Sequence, residues 1–425
     1  MTKEEFEQKL KDKKIWWCPL PWTHIFSSLS GRYAPCYDAL GKTGHNMKDT
    51  TIREWYTSDY QNKLRAEMLK EDYDGKFFDE HCTGCRKHEK LYGRSDRQKY
   101  VEQVLAGTFD NKVPQLLRAV LKFQKEGKIN LDERILDIKM KMFGNACNLD
   151  CYMCHPRSAN TRTLSLNKVL KNTGKVFDPD LDPKDGERMN TMKHDEEEYL
   201  DDVASVAKYT KSIKLIGGEP LVMKNHYKLL DKLVKTGYAD GIGLIYKTNL
   251  SVFKMEGYDF RNYLGKFKEF IMKISIDSYG KYNDYIRKKS DWPQLINNMK
   301  VMKARKDCRV NVHSVVSFLS VLHIWKLQEF LKELGIDHTY YIIQFPQILQ
   351  VKNLPYEIKQ NLIPKYKDYP NIVKSLEKEQ DKEEFIKTIE YCQALDRNHN
   401  NYKLFELYPE LESYYRKEKN ETNIR

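Results

Sequence analysis

Between Ile135 and Tyr341 short strand-like runs alternate with amphipathic stretches. This alternation limits the fold more than any other feature, because strands that recur after helical crossovers pair in parallel, with the helices packed against the sheet. The strand candidates are Ile135 to Met142, Ser212 to Ile216, Ile242 to Tyr246, Met272 to Ile276, Val310 to Val316 and Tyr340 to Ile343. Among the stretches between them, Met223 to Lys235, Trp292 to Lys303 and Val321 to Leu334 carry helical periodicity. Six strands with six helices predict an α/β fold, a partial (β/α)6 TIM-like barrel. Its ligands would meet the loops at the carboxyl ends of the strands.

The loops that follow the candidate strands are rich in chemistry. The first holds GNACNLDCYMCHP, in which Cys147, Cys151 and Cys154 are spaced C-x3-C-x2-C. Three thiolates so close can hold three irons of a 4Fe-4S cube and leave the fourth iron open to a small molecule. The same residues also fit a zinc knuckle that borrows His155 as fourth ligand. The second strand runs into Gly217, Gly218, Glu219 and Pro220, the third into Thr248 and Asn249, and the fourth ends at Ser275 and Asp277. The long polar stretch from Pro156 to Asp195 is read as a loop, either functional or disordered.

Residues 1–110 are expected to form an N-terminal unit, 111–132 a linker helix, 133–346 the barrel and 347–425 a C-terminal helical extension that frays near Arg425. Helices are expected over Lys3 to Trp17, Ile52 to Lys70 and Val113 to Lys128. The start, MTKEEFEQKLKDKK, is charged throughout and no apolar run is long enough to span a bilayer, so a cytoplasmic protein with no membrane partner is expected. Nine cysteines in 425 residues are too few for a secreted disulfide framework. Seven fall into two groups, the triplet and Cys18, Cys36, Cys82 and Cys85, which points to metal. Cys308 and Cys392 stand alone and read as small buried apolar residues. The net charge of +12 is spread thinly; it does not exclude a nucleic acid and does not single one out.

The triplet and the order of elements behind it resemble the radical S-adenosylmethionine superfamily. The resemblance implies a 4Fe-4S cluster whose open iron takes the amino and carboxylate groups of S-adenosylmethionine, and one-electron cleavage of that cofactor to a 5'-deoxyadenosyl radical. It implies cofactor contacts at Gly217, Gly218, Glu219 and Pro220 for the methionine moiety and at Thr248 and Asn249 for the ribose. It adds Ser275 and Arg287 for the carboxylate or ribose, with Asp277 beside them. The family usually has an aromatic residue just before the third cysteine, where adenine packs. Here Met153 holds that slot and Tyr152 comes one place early.

Cys18 is followed after twelve residues by Gly31, then after four by Cys36, with Cys82-Thr-Gly-Cys85 later. This spacing resembles the twitch domain, a shortened relative of the SPASM domain that binds an auxiliary 4Fe-4S cluster, although here it precedes the barrel. With CPLPWTH near the start and Glu89, Gly93, Ser95 and Arg97 after the second pair, the chain resembles a twitch-bearing group often met in viral genomes. Zinc remains open for these four cysteines, since four thiolates satisfy it equally well. His24, His81 and His88 lie near them and read as hydrogen-bonding residues. The function implied is hydrogen abstraction from a substrate, foremost a peptide or protein that is oxidised or cross-linked, with a flavodoxin or ferredoxin as electron donor. A nucleotide, nucleic acid or small metabolite is the second class, and a non-catalytic iron-sulfur or zinc protein the third. No residue is singled out as a catalytic base.

Overall fold

The computed structural model of the chain describes residues 2–28, 30–39, 43–140, 144–187, 196–397 and 401–423. One eight-stranded sheet runs through it. Its strands are β1 (His24–Ser27), β2 (Tyr33–Ala34), β3 (Leu136–Met140), β4 (Thr210–Leu215), β5 (Gly243–Thr248), β6 (Glu269–Ser275), β7 (Cys308–Val316) and β8 (Asp337–Ile342). The spatial order is β8-β7-β6-β5-β4-β3-β1-β2. Strands β3 to β8 pair in parallel in sequence order, the arrangement expected for a partial barrel. The expected first strand extends to residues 141–142, which lie outside the described residues.

Alternation along each strand sorts its side chains. On β6, Phe270, Met272 and Ile274 are fully buried, while Glu269, Ile271, Lys273 and Ser275 point the other way. The buried set continues sideways as Leu136 and Ile138, Ile213 and Leu215, and Leu244 and Tyr246. These side chains meet the flanking helices, which frees the opposite face to line a cavity.

The N-terminal segment extends the sheet. β1 lies parallel to β3, pairing His24 with Asp137 and Ser27 with Met140, and β2 turns back antiparallel on β1. Below this junction Lys112 forms a buried ion pair with Asp137, whose other oxygen accepts from Ser212 Oγ at 2.7 Å. This ties the linker helix Val113–Glu126 to the sheet.

Several helices differ from expectation. The first ends at Lys11, where Asp12 caps it, and Lys13 takes a positive φ. The second is two helices, Ile52–Thr57 and Asp59–Glu67, because Ser58 is extended and its hydroxyl accepts from Gln61 N. Val321 to Leu334 is a 3-10 turn followed by helix Ile324–Glu333. The β5–β6 crossover has a small hairpin and the 3-10 turn Phe260–Tyr263 where an α-helix was expected. The stretch read as a loop contains helix Asn160–Thr173, which buries Arg162, Leu166 and Val169 and stops at Gly174 with φ +68°. Residues 188–195 at its end lie outside the described residues.

The C-terminal part is helical as expected, with Tyr356–Leu362, Pro370–Leu376, Lys382–Asp396, Leu404–Leu407 and Glu410–Asn423. Its expected frayed end, residues 424–425, lies outside the described residues. Among the described residues no helix is long and apolar enough to cross a membrane. Cys308 and Cys392 are buried.

Burial holds several histidines below their ordinary value, most strongly His24 and His226, to about 3, and His323 and His338, to about 4. A ring whose folded pKa lies below its ordinary 6.5 takes up a proton on unfolding. Its stabilising effect is therefore complete above that value and declines as the pH falls towards the folded one. His226, bonded through Nε2 to the Tyr246 hydroxyl at 2.7 Å, isolates the effect. Between roughly pH 6 and 4 the unfolding free energy of the wild type should fall by about 1.4 kcal/mol per pH unit more than that of His226→Gln. Denaturant titrations in which the two curves stay parallel would show that the buried ring is charged.

Candidate active site

The loop after β3 is held by its backbone. Cys147 N donates to Asn160 Oδ1 at 3.1 Å, Tyr152 N to Ile286 O at 2.9 Å, and Cys154 N to Cys151 O at 3.0 Å. Asp150 and Cys151 pair antiparallel with Lys288 and Arg287. Beneath the loop, helix Asn160–Thr173 places Arg162 between Asp150 Oδ1, at 3.3 Å, and the Tyr152 carbonyl, at 3.1 Å. The Tyr152 hydroxyl donates to Asp396 Oδ1 at 3.0 Å, and Tyr285 donates to the same oxygen at 2.8 Å. Tyr391 OH donates to the Tyr152 carbonyl at 2.9 Å. Tyr152 thus points away from the cysteines, into the C-terminal helices.

The glycine turn packs onto this loop. Gly217 and Gly218 have φ of +105° and +46°, and Glu219 N donates to Ala146 O at 2.8 Å. A Cβ on Gly218 would collide with the Ala146 carbonyl, so that position requires glycine for close approach as well as for its backbone. Glu219 joins two turns. Its Oε1 accepts from Thr248 Oγ1 at 2.7 Å and Leu221 N at 3.1 Å, and its Oε2 from Asn249 N at 2.5 Å. Burial raises this carboxyl above its ordinary range, while the three donors and Arg287 oppose the rise. Asn249 Nδ2 donates to Asn148 Oδ1 at 3.0 Å, and Asn148 Nδ2 to Ser251 Oγ at 2.7 Å, so the cysteine loop is also tied to the turn after β5.

Cys147, Cys151, Cys154, Gly217, Gly218, Glu219, Thr248, Asn249, Ser275 and Arg287 line one cavity of about 790 Å³. Arg287 Nη1 is 3.7 Å from Cys151 Sγ, and its Nε is 2.7 Å from Asp277 Oδ2. Asp277 is fully buried, with Oδ1 accepting from Val315 N at 2.8 Å, and it aims Arg287 without reaching the cavity. Met153 and Pro220 also lie outside the lining; Met153 is half-buried against the core, and Pro220 starts a buried 3-10 turn. The Thr248 hydroxyl, expected to meet a ribose, is engaged by Glu219 and by Leu250 N. His155, the alternative zinc ligand, accepts from Arg157 N through Nδ1 and has Nε2 3.8 Å from Asp185.

The four N-terminal cysteines gather as well. Cys18, Cys36, Cys82 and Cys85 line one small pocket, together with Trp16, Tyr37 and Arg97. Glu89 fixes its wall: Oε1 accepts from Ser95 Oγ at 2.5 Å and Arg97 Nε at 2.8 Å, and Oε2 from Trp16 Nε1 and Arg97 Nη2, each at 3.0 Å. Gly93 ends helix Thr83–Tyr92 with φ +68°, turning the chain so that Ser95 and Arg97 face Glu89. His24 bonds Thr23 Oγ1 at 3.0 Å, and His81 bonds the Tyr60 hydroxyl at 3.1 Å. His88 lies beside the Tyr92 ring.

Among the described residues no three His, Cys, Asp or Glu side chains converge on a single metal ion. Both cysteine groups instead border a space. Burial pushes all seven thiols up, Cys147 and Cys36 to about 12, so bare thiolates are disfavoured. Bonding to a metal lowers a thiol's pKa, and soft sulfur donors around a cavity fit iron-sulfur chemistry, as they also fit zinc. The triplet, with Arg287 beside it and a glycine cradle opposite, also leaves open volume for a ligand.

Sequence reasoning missed Asn148, Asp150, Asn160, Arg162, Tyr285 and Asp396, which position the loop without forming a motif. It also missed Lys139, Lys214 and Lys247, which line the cavity.

Residues 142–337 match the sequence model of the Radical SAM superfamily. No curated protein matches the chain. Among solved structures it is similar to Streptococcus suis SuiB bound to S-adenosylmethionine, with 14% identity and a TM-score of 0.37, over 69% of this chain and 61% of that one. It is also similar to Streptococcus suis SuiB bound to the precursor peptide SuiA, with 14% identity and a TM-score of 0.33, over 61% and 51% of the two chains. The match therefore spans less than two thirds of the length of each of these SuiB chains.

Proposed function

We propose that the chain, which carries a Radical SAM superfamily domain over residues 142–337, is an enzyme that abstracts hydrogen from a substrate after reductive cleavage of S-adenosylmethionine. The observation that carries this reading is the convergence of Cys147, Cys151, Cys154, the Gly217–Gly218 turn, Ser275 and Arg287 on one cavity. With a 4Fe-4S cluster on the three cysteines and S-adenosylmethionine bound, the site would supply a 5'-deoxyadenosyl radical. The protein's part is positioning. Arg287 brings positive charge to Cys151 and is aimed by Asp277, Gly218 lets the methionine moiety approach the backbone, and Glu219 keeps the turns after β4 and β5 in register.

Cys18, Cys36, Cys82 and Cys85 would hold a second, auxiliary cluster in the twitch manner, with zinc as its rival. The substrate we assign is a peptide or protein segment, and a flavodoxin or ferredoxin would deliver the electron. What supports this assignment is the twitch-like spacing of the four cysteines, since peptide modification is the commonest role of proteins with such domains.

Anaerobically reconstituted protein should hold about eight irons, and about four when Cys82 and Cys85 are replaced by alanine. Cys151→Ala should abolish formation of 5'-deoxyadenosine by the reduced protein. Undiminished 5'-deoxyadenosine from Cys151→Ala would refute the enzyme reading, and four irons with stoichiometric zinc in the unaltered protein would refute the auxiliary cluster.

A further inference from the structure

The cavity face of the sheet carries a lysine on each of four neighbouring strands: Lys139 on β3, Lys214 on β4, Lys247 on β5 and Lys273 on β6. Their register makes two directly opposed pairs, Lys139 with Lys214 and Lys247 with Lys273. Like charges opposite one another destabilise a sheet. On the same face Asp137 pairs with Lys112 and accepts from Ser212, and Glu269 lies 2.5 Å from Arg309. Lys139 Nζ lies 4.0 Å from the centroid of the Tyr37 ring, an aromatic face that holds its ammonium at the wall.

The consequence shows at the centre of the group. Burial, and then the charges of Lys139, Lys273 and Lys247, lower the Lys214 ammonium to about 8. On β7, His313 is held neutral by burial and then by Lys247 and Lys273. Lys139, Lys214 and Lys247 line the same cavity as the three cysteines and Arg287.

We infer that this lysine row binds an anionic group of the substrate, a carboxylate or a phosphate, and holds it beside the site where hydrogen is abstracted. The inference rests on the proposed function only for what happens next, since the binding itself needs no chemistry. A cavity of about 790 Å³ lies within the range of small-molecule sites, roughly 300–1,000 Å³. With a cofactor present there is space for a head group or one side chain. The substrate's reacting part is therefore small and negative: an acidic or a phosphorylated side chain of the peptide.

The test is calorimetric titration of the full-length, anaerobically reconstituted protein with glutarate and with inorganic pyrophosphate at low salt. At least one probe should bind saturably with one-to-one stoichiometry. Affinity should fall at least tenfold in Lys214→Met/Lys273→Met and stay unchanged in Lys300→Met, an exposed lysine on helix Trp292–Lys303. Lys247→Gln, a single exchange at a more exposed position, should weaken the same probe and guards against misfolding of the double variant. Preference for glutarate supports an acidic side chain of the peptide and preference for pyrophosphate a phosphorylated one. Binding of neither probe, or equal affinity in the lysine variants, overturns the inference. So does a matching loss of S-adenosylmethionine affinity in the double variant, because the lysines would then serve the cofactor. None of these readouts depends on cofactor cleavage, so failure of the proposed function leaves its own signature.

Discussion

Alanine at Gly218 should reduce 5'-deoxyadenosine formation by about a hundredfold or more while leaving the sheet intact. The added Cβ would collide with the Ala146 carbonyl oxygen and lie 2.6 Å from Met223 Cε, so the cysteine loop must move away from the turn. A backbone carbonyl cannot rotate aside as a side-chain tip can. A misplacement of about 1 Å in a reacting site costs on the order of a hundredfold in rate. Gly237 supplies the control, since it has a similar need for positive φ, at +74°, but nothing within 4 Å of a Cβ. Gly237→Ala should cost about 1–2 kcal/mol of stability from backbone strain and leave cleavage unchanged. Equal activity of the two alanine variants would show that the approach of the turn to the loop is dispensable.

Arg162→Met should lower the unfolding free energy by about 3 kcal/mol, the low end for breaking a buried ion pair, because it leaves the buried Asp150 with one more distant cation. Arg162 is fully buried, 3.3 Å from Asp150 Oδ1, and donates to the Tyr152 carbonyl. Removing it leaves Asp150, itself only 4% exposed, with Lys288 at 3.6 Å as its remaining cation. Arg162→Lys should recover part of the loss, since a lysine can restore the charge but not both forked contacts. Iron retention after reconstitution should follow the same order, because Cys151 and Cys154 flank Tyr152. A loss below about 1 kcal/mol in denaturant unfolding would mean that the pair is solvated in practice.

The six parallel strands were legible because each is a short run whose alternation and β-branched content speak for themselves, and their parallel order follows from the helical stretches between them. The cysteine triplet was legible for a related reason: its information lies in eight consecutive residues. Strand β1 was not. HIFS is four residues long, and it becomes a strand only by pairing with β3, more than a hundred residues later. Helix Asn160–Thr173 was hidden by its composition, NTRTLSLNKVLKNT, in which threonine and asparagine weaken the intrinsic preference and tertiary burial of Arg162, Leu166 and Val169 outweighs it. Tyr152 shows the limit within a motif. Spacing located it next to the adenine slot, but its ring meets Tyr285 at 4.9 Å and its hydroxyl meets Asp396, a partner 244 residues away. No local pattern carries that direction. The same holds for Asp277, which was grouped with the cofactor contacts and instead lies behind Arg287.

The pairing of β1 with β3 governs what can be cut from this protein. A fragment starting near residue 133 would lack both β1 and β2, baring the hydrogen-bonding edge of β3 along four registered positions. Unpaired sheet edges recruit strands from other chains. Such a fragment would also lose Phe26, Ser28 and Tyr37 from the wall of the cavity that holds the cysteine triplet. The N-terminal segment therefore does two things for the cysteine triplet at once: it covers the edge of β3 and it supplies part of the wall of the cavity.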